Sequence, residues 1–165
     1  MPEALLKTGE VALILGVSRQ HVVNLADRGD LSAVRIGTHR RIPLSEVERL
    51  RGPTRLTPER VKSLRLHQAL IGDLLVDPDG VVAKARDNIR RWLPQQRADG
   101  MTATYLRKWE EILDAGLDPI LEALTATDEM SCELRENSPF AGVMSPERRE
   151  KVLATLRART AASVR

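Results

Sequence analysis

Residues 8–42, TGEVALILGVSRQHVVNLADRGDLSAVRIGTHRRI, leave little freedom in how they fold. Val11, Ala12, Ile14 and Leu15 give a short segment one apolar face, and Thr8 before them is expected to cap it. Gly16 ends the segment where positive φ is needed, Val17 plugs the turn, and Ser18 is placed to cap a second helix. In that helix, Arg19–Arg28, Val22, Leu25 and Ala26 face inward, while Arg19, Gln20, Val23 and Asn24 face outward. After Gly29 and the core residue Leu31 the period changes to two. Ala33–Ile36 and Arg40–Ile42 alternate like strands about Gly37-Thr38, predicting a two-stranded hairpin. Ser45 and Glu48 then suggest a capping box for a third short helix carrying Val47 and Leu50.

The chemistry of the outward residues points to double-stranded DNA. Arg, Gln and Asn offer the two-pronged hydrogen-bonding geometries that read base edges in a major groove. Arg35, His39, Arg40 and Arg41 are expected to form a cationic strip beside the second helix, with Ser18, Arg28 and Thr38 also positioned on phosphates. Charge supports this division. Residues 1–66 hold 12 Lys or Arg against 7 Asp or Glu, net +5, whereas residues 67–165 hold 14 against 16, net −2.

The segment resembles the excisionase-type branch of the MerR-like winged helix-turn-helix proteins. The resemblance covers residues 5–51 and is carried by Glu10, Ala12, Leu15, Gly16-Val17-Ser18, Val22, Gly29-Asp30-Leu31, Arg35-Ile36-Gly37 and His39-Arg40-Arg41-Ile42. It implies that Arg19–Arg28 enters the major groove and that the hairpin wing contacts the flanking backbone or minor groove.

The rest of the chain reads as helices. Hydrophobic residues make up 42% of the sequence but aromatics only 2%, so the core must be built from Leu, Val, Ile and Ala. Thr57-Pro58 and Asp77-Pro78 are helix starts, with a cap followed by proline. Tyr105 and Trp109 lie one turn apart and, with Trp92, are expected to anchor the core; a ligand-binding aromatic box is the alternative. Arg55, Arg60, Lys62 and Arg65 follow the head and offer either further phosphate contacts or a solvated face. The expected architecture is therefore mainly α: a winged helix-turn-helix head over 1–52, a linker at 53–57, and an all-α multi-helix domain over 58–160. Thr127 is expected to cap a helix over 128–136, and a last helix should run from Ser145-Pro146 to about Ala158. Between these two, a non-helical apolar loop is expected near 137–145.

That loop suggests a second, weaker resemblance. Asn137-Ser138-Pro139-Phe140-Ala141-Gly142, followed by Ser145-Pro146-Glu147, is similar to a segment of bacterial antitoxins paired with PIN-domain ribonuclease toxins. The resemblance implies a repressor of its own operon that neutralises a toxin whose active site clusters carboxylates around a divalent metal. Arg135, Asn137, Pro139, Phe140, Arg148 and Arg149 become the candidate partner-binding residues. From chemistry alone the loop could equally be packing between two helices. Two other readings remain open: an architectural protein acting with a recombinase, and a regulator that responds to a small molecule bound near Trp92, Tyr105 and Trp109.

Other chemistry is poorly supported. His21, His39 and His67 lack metal-ligand spacing, and a single Cys132 excludes an intrachain disulfide and a thiolate cluster. No glycine loop suits a nucleotide, so neither a catalytic residue, a metal nor a cofactor is expected. The absence of a long apolar run and of a signal-like start leads to the expectation of a cytoplasmic protein with no membrane partner. A small head reading DNA further suggests a homo-oligomer or a toxin-mediated assembly on repeated half-sites.

Overall fold

The computed structural model describes residues 3–163. A strand β1 (Leu5–Lys7) leads into α1 (Thr8–Leu15) and α2 (Arg19–Arg28), followed by β2 (Val34–Ile36), β3 (His39–Pro43) and α3 (Leu44–Arg51). The helical half then comprises α4 (Pro58–Val76), α5 (Pro78–Trp92), α6 (Met101–Ala115), α7 (Leu117–Thr125), α8 (Glu129–Glu136) and α9 (Pro146–Ser163). A single 3-10 turn at Leu93–Gln95 follows α5. The mainly α architecture with a small mixed head agrees with the sequence reading. No helix among the described residues is long and apolar enough to cross a membrane.

The head packs Val11, Val22, Leu25, Leu31, Ile42, Val47 and Leu50 into its own core. Its turns form as expected: Gly16 and Gly29 cap α1 and α2 at φ 64° and 81°, where a side chain would be strained. Ser18 Oγ accepts from His21 N at 3.1 Å, so α2 begins where its cap predicted.

Three local expectations need correction. Thr8 lies inside α1 rather than capping it; the free Lys7 amide is taken by the Glu10 carboxylate at 2.6 Å, and Thr8 Oγ1 instead accepts from Arg19 Nε at 3.1 Å. Among the described residues the sheet has three strands, in the order β1-β3-β2, because Leu5–Lys7 pairs antiparallel with β3. Ser45 does not cap α3, which begins at Leu44; the Ser45 amide donates to Glu3, while Glu46 holds the Ser32 amide and Arg49.

The helical half has a second core. Leu70, Leu74, Ile89, Leu106, Trp109, Leu113, Ile120, Leu124 and Phe140 are all buried in it. Asp128, rather than Thr127, caps α8, its Oδ1 accepting from Ser131 N at 2.9 Å. The last helix runs on to Ser163, past the expected Ala158.

The apolar loop is one of this core's components, and three of the six predicted partner-binding residues, Arg135, Pro139 and Phe140, are buried. Phe140 is 4% exposed and stacks edge-on against Trp109, with ring centroids 5.2 Å apart. Asn88, buried on α5, donates to the carbonyls of Pro139 and Ala141 at 2.7 and 2.9 Å and so clamps the loop. Arg135 is 3% exposed and donates to Ala123 O and Ala126 O at 2.9 and 2.7 Å. A guanidinium there satisfies the last carbonyls of α7 and complements its dipole. Asn137 closes α8, its Nδ2 donating to Glu133 O at 3.0 Å. Arg148 binds both oxygens of Asp73 and the carbonyl of Ala69, tying α9 to α4. Arg149 stays exposed.

Tyr105 and Trp109 are likewise spent in packing. Trp109 is fully buried, and its Nε1 donates to Leu134 O at 2.8 Å. This geometry makes them core anchors instead of walls of a ligand box.

The packing of the loop sets a stability expectation. Phe140→Ala should lower unfolding free energy by about 3–5 kcal/mol in urea denaturation, the usual cost of truncating a buried phenylalanine. Arg149→Ala should stay within about 0.5 kcal/mol. A Phe140→Ala loss no larger than that of Arg149→Ala would mean that the loop is not part of the core.

Candidate nucleic-acid interface

The open face of α2 is a narrow strip. Arg19, Gln20, Val23 and Asp27 recur at i, i+1, i+4 and i+8, on the side away from Val22 and Leu25. Arg19 is exposed and anchored to α1 through Nε, which donates to Thr8 Oγ1. Val23 is half-buried. Asp27 was not among the predicted contacts, although its spacing from Arg19 and Val23 would have found it. Its carboxylate holds Arg40 Nη2 at 2.6 Å, while Arg40 Nη1 donates to Val23 O at 3.3 Å. An aspartate on a reading face can accept from a cytosine amino group. Here it also aims Arg40 along α2.

The wing is built differently from the expected continuous cationic strip. In the β2–β3 register Arg35 opposes Arg40, and Ile36 opposes His39. Gly37-Thr38 forms the two-residue turn, with Gly37 at φ 61° and Thr38 exposed beside it. Because side chains alternate faces along a strand, Arg40 shares the α2-facing side with buried Ile42 and cross-strand Arg35. His39 and Arg41 project from the opposite face, where Arg41 opposes Lys7 and Val34. The four side chains therefore divide into two pairs on opposite faces of the ribbon. Val34 and Ile36, 49% and 52% exposed, add apolar surface to it.

The other flank of α2 is covered by the helical half. Asn24 Nδ2 donates to Asp99 O at 3.1 Å, His21 meets Tyr105 edge-on at 4.8 Å, and Lys108 Nζ donates to Gly16 O at 2.7 Å. Contacts running from Asn24 to Gly16 thus follow residues 99 to 108, so α6 lies antiparallel along α2. Met101 also packs against the head core. A second seam joins the linker to α8: Thr54 N donates to Thr127 O at 2.9 Å, and Pro53 pairs with Asp128. Residues 53–57 are therefore strapped down at their start.

These seams redistribute the predicted DNA contacts. Arg28 pairs with Asp30 and reaches Glu133 on α8 at 3.5 Å, on the flank facing the helical half. Asn24 Oδ1 accepts from Gln20 Nε2 at 3.0 Å, so both ends of the Asn24 amide are engaged. Ser18 is occupied as the cap of α2. Arg60, a possible phosphate contact from sequence, is held by Glu129 at 2.7 and 2.8 Å and by Glu136 at 3.0 Å. Arg19 and Gln20 on α2, with Arg35 and Arg40 on the adjoining wing face, line the open strip.

His21 is the main residue of the junction that sequence reasoning missed. It sits between Gln20 and Val22, one turn before Leu25, so helical spacing puts it beside the apolar face although its polarity does not suggest burial. Its side chain is fully enclosed, and neither ring nitrogen has a hydrogen-bond partner in the protein. Burial first, and then the positive charge of Arg28, lower its pKa to about 4. No group of acidic, His or Cys side chains among the described residues could hold a metal ion.

Residues 5–51 match the family model described as Helix-turn-helix domain. No curated protein matches the chain, and no solved structure matches it. The matched stretch coincides with β1 through α3, and it makes the head a helix-turn-helix domain of the DNA-binding kind.

The buried imidazole gives the fold a specific acid sensitivity. Above pH 6.5 His21 is neutral in both folded and unfolded chains. As pH falls from about 6.5 to about 4, the unfolded chain takes up a proton that the folded one does not, so stability is lost across that window. Between pH 7 and 4 the wild type should lose roughly 3 kcal/mol more than His21→Phe, which keeps an aromatic ring against Tyr105. Parallel pH–stability curves from urea denaturation would contradict this assignment.

Proposed function

We propose that the protein is a sequence-specific DNA-binding repressor of the antitoxin type, reading an operator with its head and holding a ribonuclease toxin with its helical half. The observation that carries the DNA part is the open strip of α2, bordered by the wing, within the helix-turn-helix match. Base preference comes from Arg19, Gln20 and Val23, with Asp27 as a fourth reader. Arg35, Arg40 and the exposed turn at Thr38 supply backbone contacts, and His39 and Arg41 serve the strand facing the other side of the ribbon. One such head buries roughly 600–1,000 Å², so the repressor binds paired half-sites as two copies.

The antitoxin part rests on the similarity of Asn137–Gly142 to antitoxin loops; of the six residues the sequence suggested for the partner, Arg149 is exposed and Asn137 and Arg148 are half-buried. Arg135, Pro139 and Phe140 are buried, and Arg148 is paired, so none is available to fill a toxin's active site. A groove of about 1320 Å³ between the start of α4 and the end of α9 is better suited. Leu56, Val61, Leu153 and Leu156 give it an apolar floor, and Arg55 and Lys62 lie among its lining residues. That combination suits the carboxylate-rich mouth of a PIN-type ribonuclease.

Selection of duplexes from a random-sequence pool tests the first part. The wild type should enrich one motif, and Gln20→Ala should relax preference at one position by about 1–3 kcal/mol. Enrichment of the same motif with the same discrimination by Gln20→Ala would overturn the strip assignment. For the second part, Leu156→Asp should abolish co-purification with a PIN-domain ribonuclease encoded beside this gene. Undiminished co-purification would exclude the groove.

A further inference from the structure

An α-helix with its side chains is about 10–12 Å across and fills a major groove about 12 Å wide. Elements on both flanks of a groove-inserted helix therefore face the two phosphate backbones. The wing occupies one flank of α2. On the other lies the turn at residues 96–100, whose Asp99 carbonyl receives Asn24 Nδ2 from α2 itself.

This turn is pinned in place and carries positive charge. Gln96 N donates to Leu93 O at 3.1 Å and Gly100 N to Arg97 O at 2.9 Å, closing two successive tight turns. Arg107, exposed on α6, donates through Nη1 to Ala98 O at 3.0 Å and braces the turn from beneath. The Arg97 side chain is 85% exposed, held loosely to Asp99 at 3.4 Å. Because the backbone of the turn is already fixed, binding through this arginine orders its side chain alone.

Resting on the DNA-binding reading, we infer that Arg97 and Arg107 form a second phosphate-binding element, holding the strand across the groove from the wing. The recognition helix is then gripped from both sides, once by the head's own hairpin and once by the helical half. On binding, a phosphate oxygen displaces the Asp99 carboxylate from Arg97, while the Asp99 carbonyl keeps its contact with Asn24. Asp99 opposes this electrostatically, so it sets the strength of the grip.

The test uses the full chain and a 30-base-pair duplex selected from a random-sequence pool by the wild type, titrated across a range of salt concentrations. Arg97→Gln/Arg107→Gln should bind about tenfold more weakly at 0.1 M salt, with the slope of log K against log salt reduced by about 1–2. Arg97→Gln alone, at a largely solvated side chain, should lose about half of that on a logarithmic scale. Asp99→Asn, which keeps the carbonyl for Asn24, should bind a few-fold more tightly. Wild-type affinity and slope in both arginine variants would overturn the inference while leaving the DNA-binding reading intact. A wild type that selects no duplex and shows no salt-dependent binding would remove that reading, and the inference with it.

Discussion

The contact on which the rest of the arrangement depends is the packing of α6 along α2. Most side chains of a recognition helix face either its own small core or the nucleic acid. Here a third face, carrying His21, Asn24 and Arg28, is given over to the helical half. His21 is enclosed against Tyr105 without a hydrogen bond to either ring nitrogen. Burying such a group unpaired costs stability, yet it fixes the rotation of α2 about its axis. That rotation decides which residues form the open strip. The linker, strapped at Thr54, and the Arg28–Glu133 pair to α8 hold the head against the helical half as well.

This arrangement links the two halves of the chain in one physical object. The charge split had suggested that the basic head meets DNA while the acidic-leaning remainder does something else. The structure places part of that remainder beside the reading helix, so its net charge is a poor guide to its local role. Arg97 and Arg107 sit in a segment that is acidic-leaning on average, yet they lie on the flank of α2 opposite the wing. The carboxylates of α8, in contrast, are turned inward: Glu133 meets Arg28 across the junction of the halves, while Glu129 and Glu136 hold Arg60 of α4.

Sequence reasoning found what local chemistry dictates. Gly16, Ser18 and Gly29 each have one conformational role, and each was assigned it correctly. Proline after a capping side chain marked the starts of α4 and α5 for the same reason. What was hidden depends on tertiary neighbours. Leu5–Lys7 is too short to show a period, and becomes a strand only because β3 offers an edge. His21 looks like a solvated polar residue until Tyr105 is placed over it. The division of Arg35 and Arg40 from His39 and Arg41 follows from strand alternation, but it needs the hairpin register to be known. Phe140 was undecided between core and partner because an apolar loop has no intrinsic face. The donors of Asn88 and the ring of Trp109 decide it.

With DNA in place the helical half stays docked and α2 lies in the groove. Amide hydrogen exchange, measured on the full chain with and without a selected duplex, tests it most directly. Residues 19–27 should gain protection on binding, while residues 101–108 keep the protection they have in the free protein. Loss of protection across residues 101–108 when the duplex is added would contradict it, because the head would then have left α6 to reach DNA.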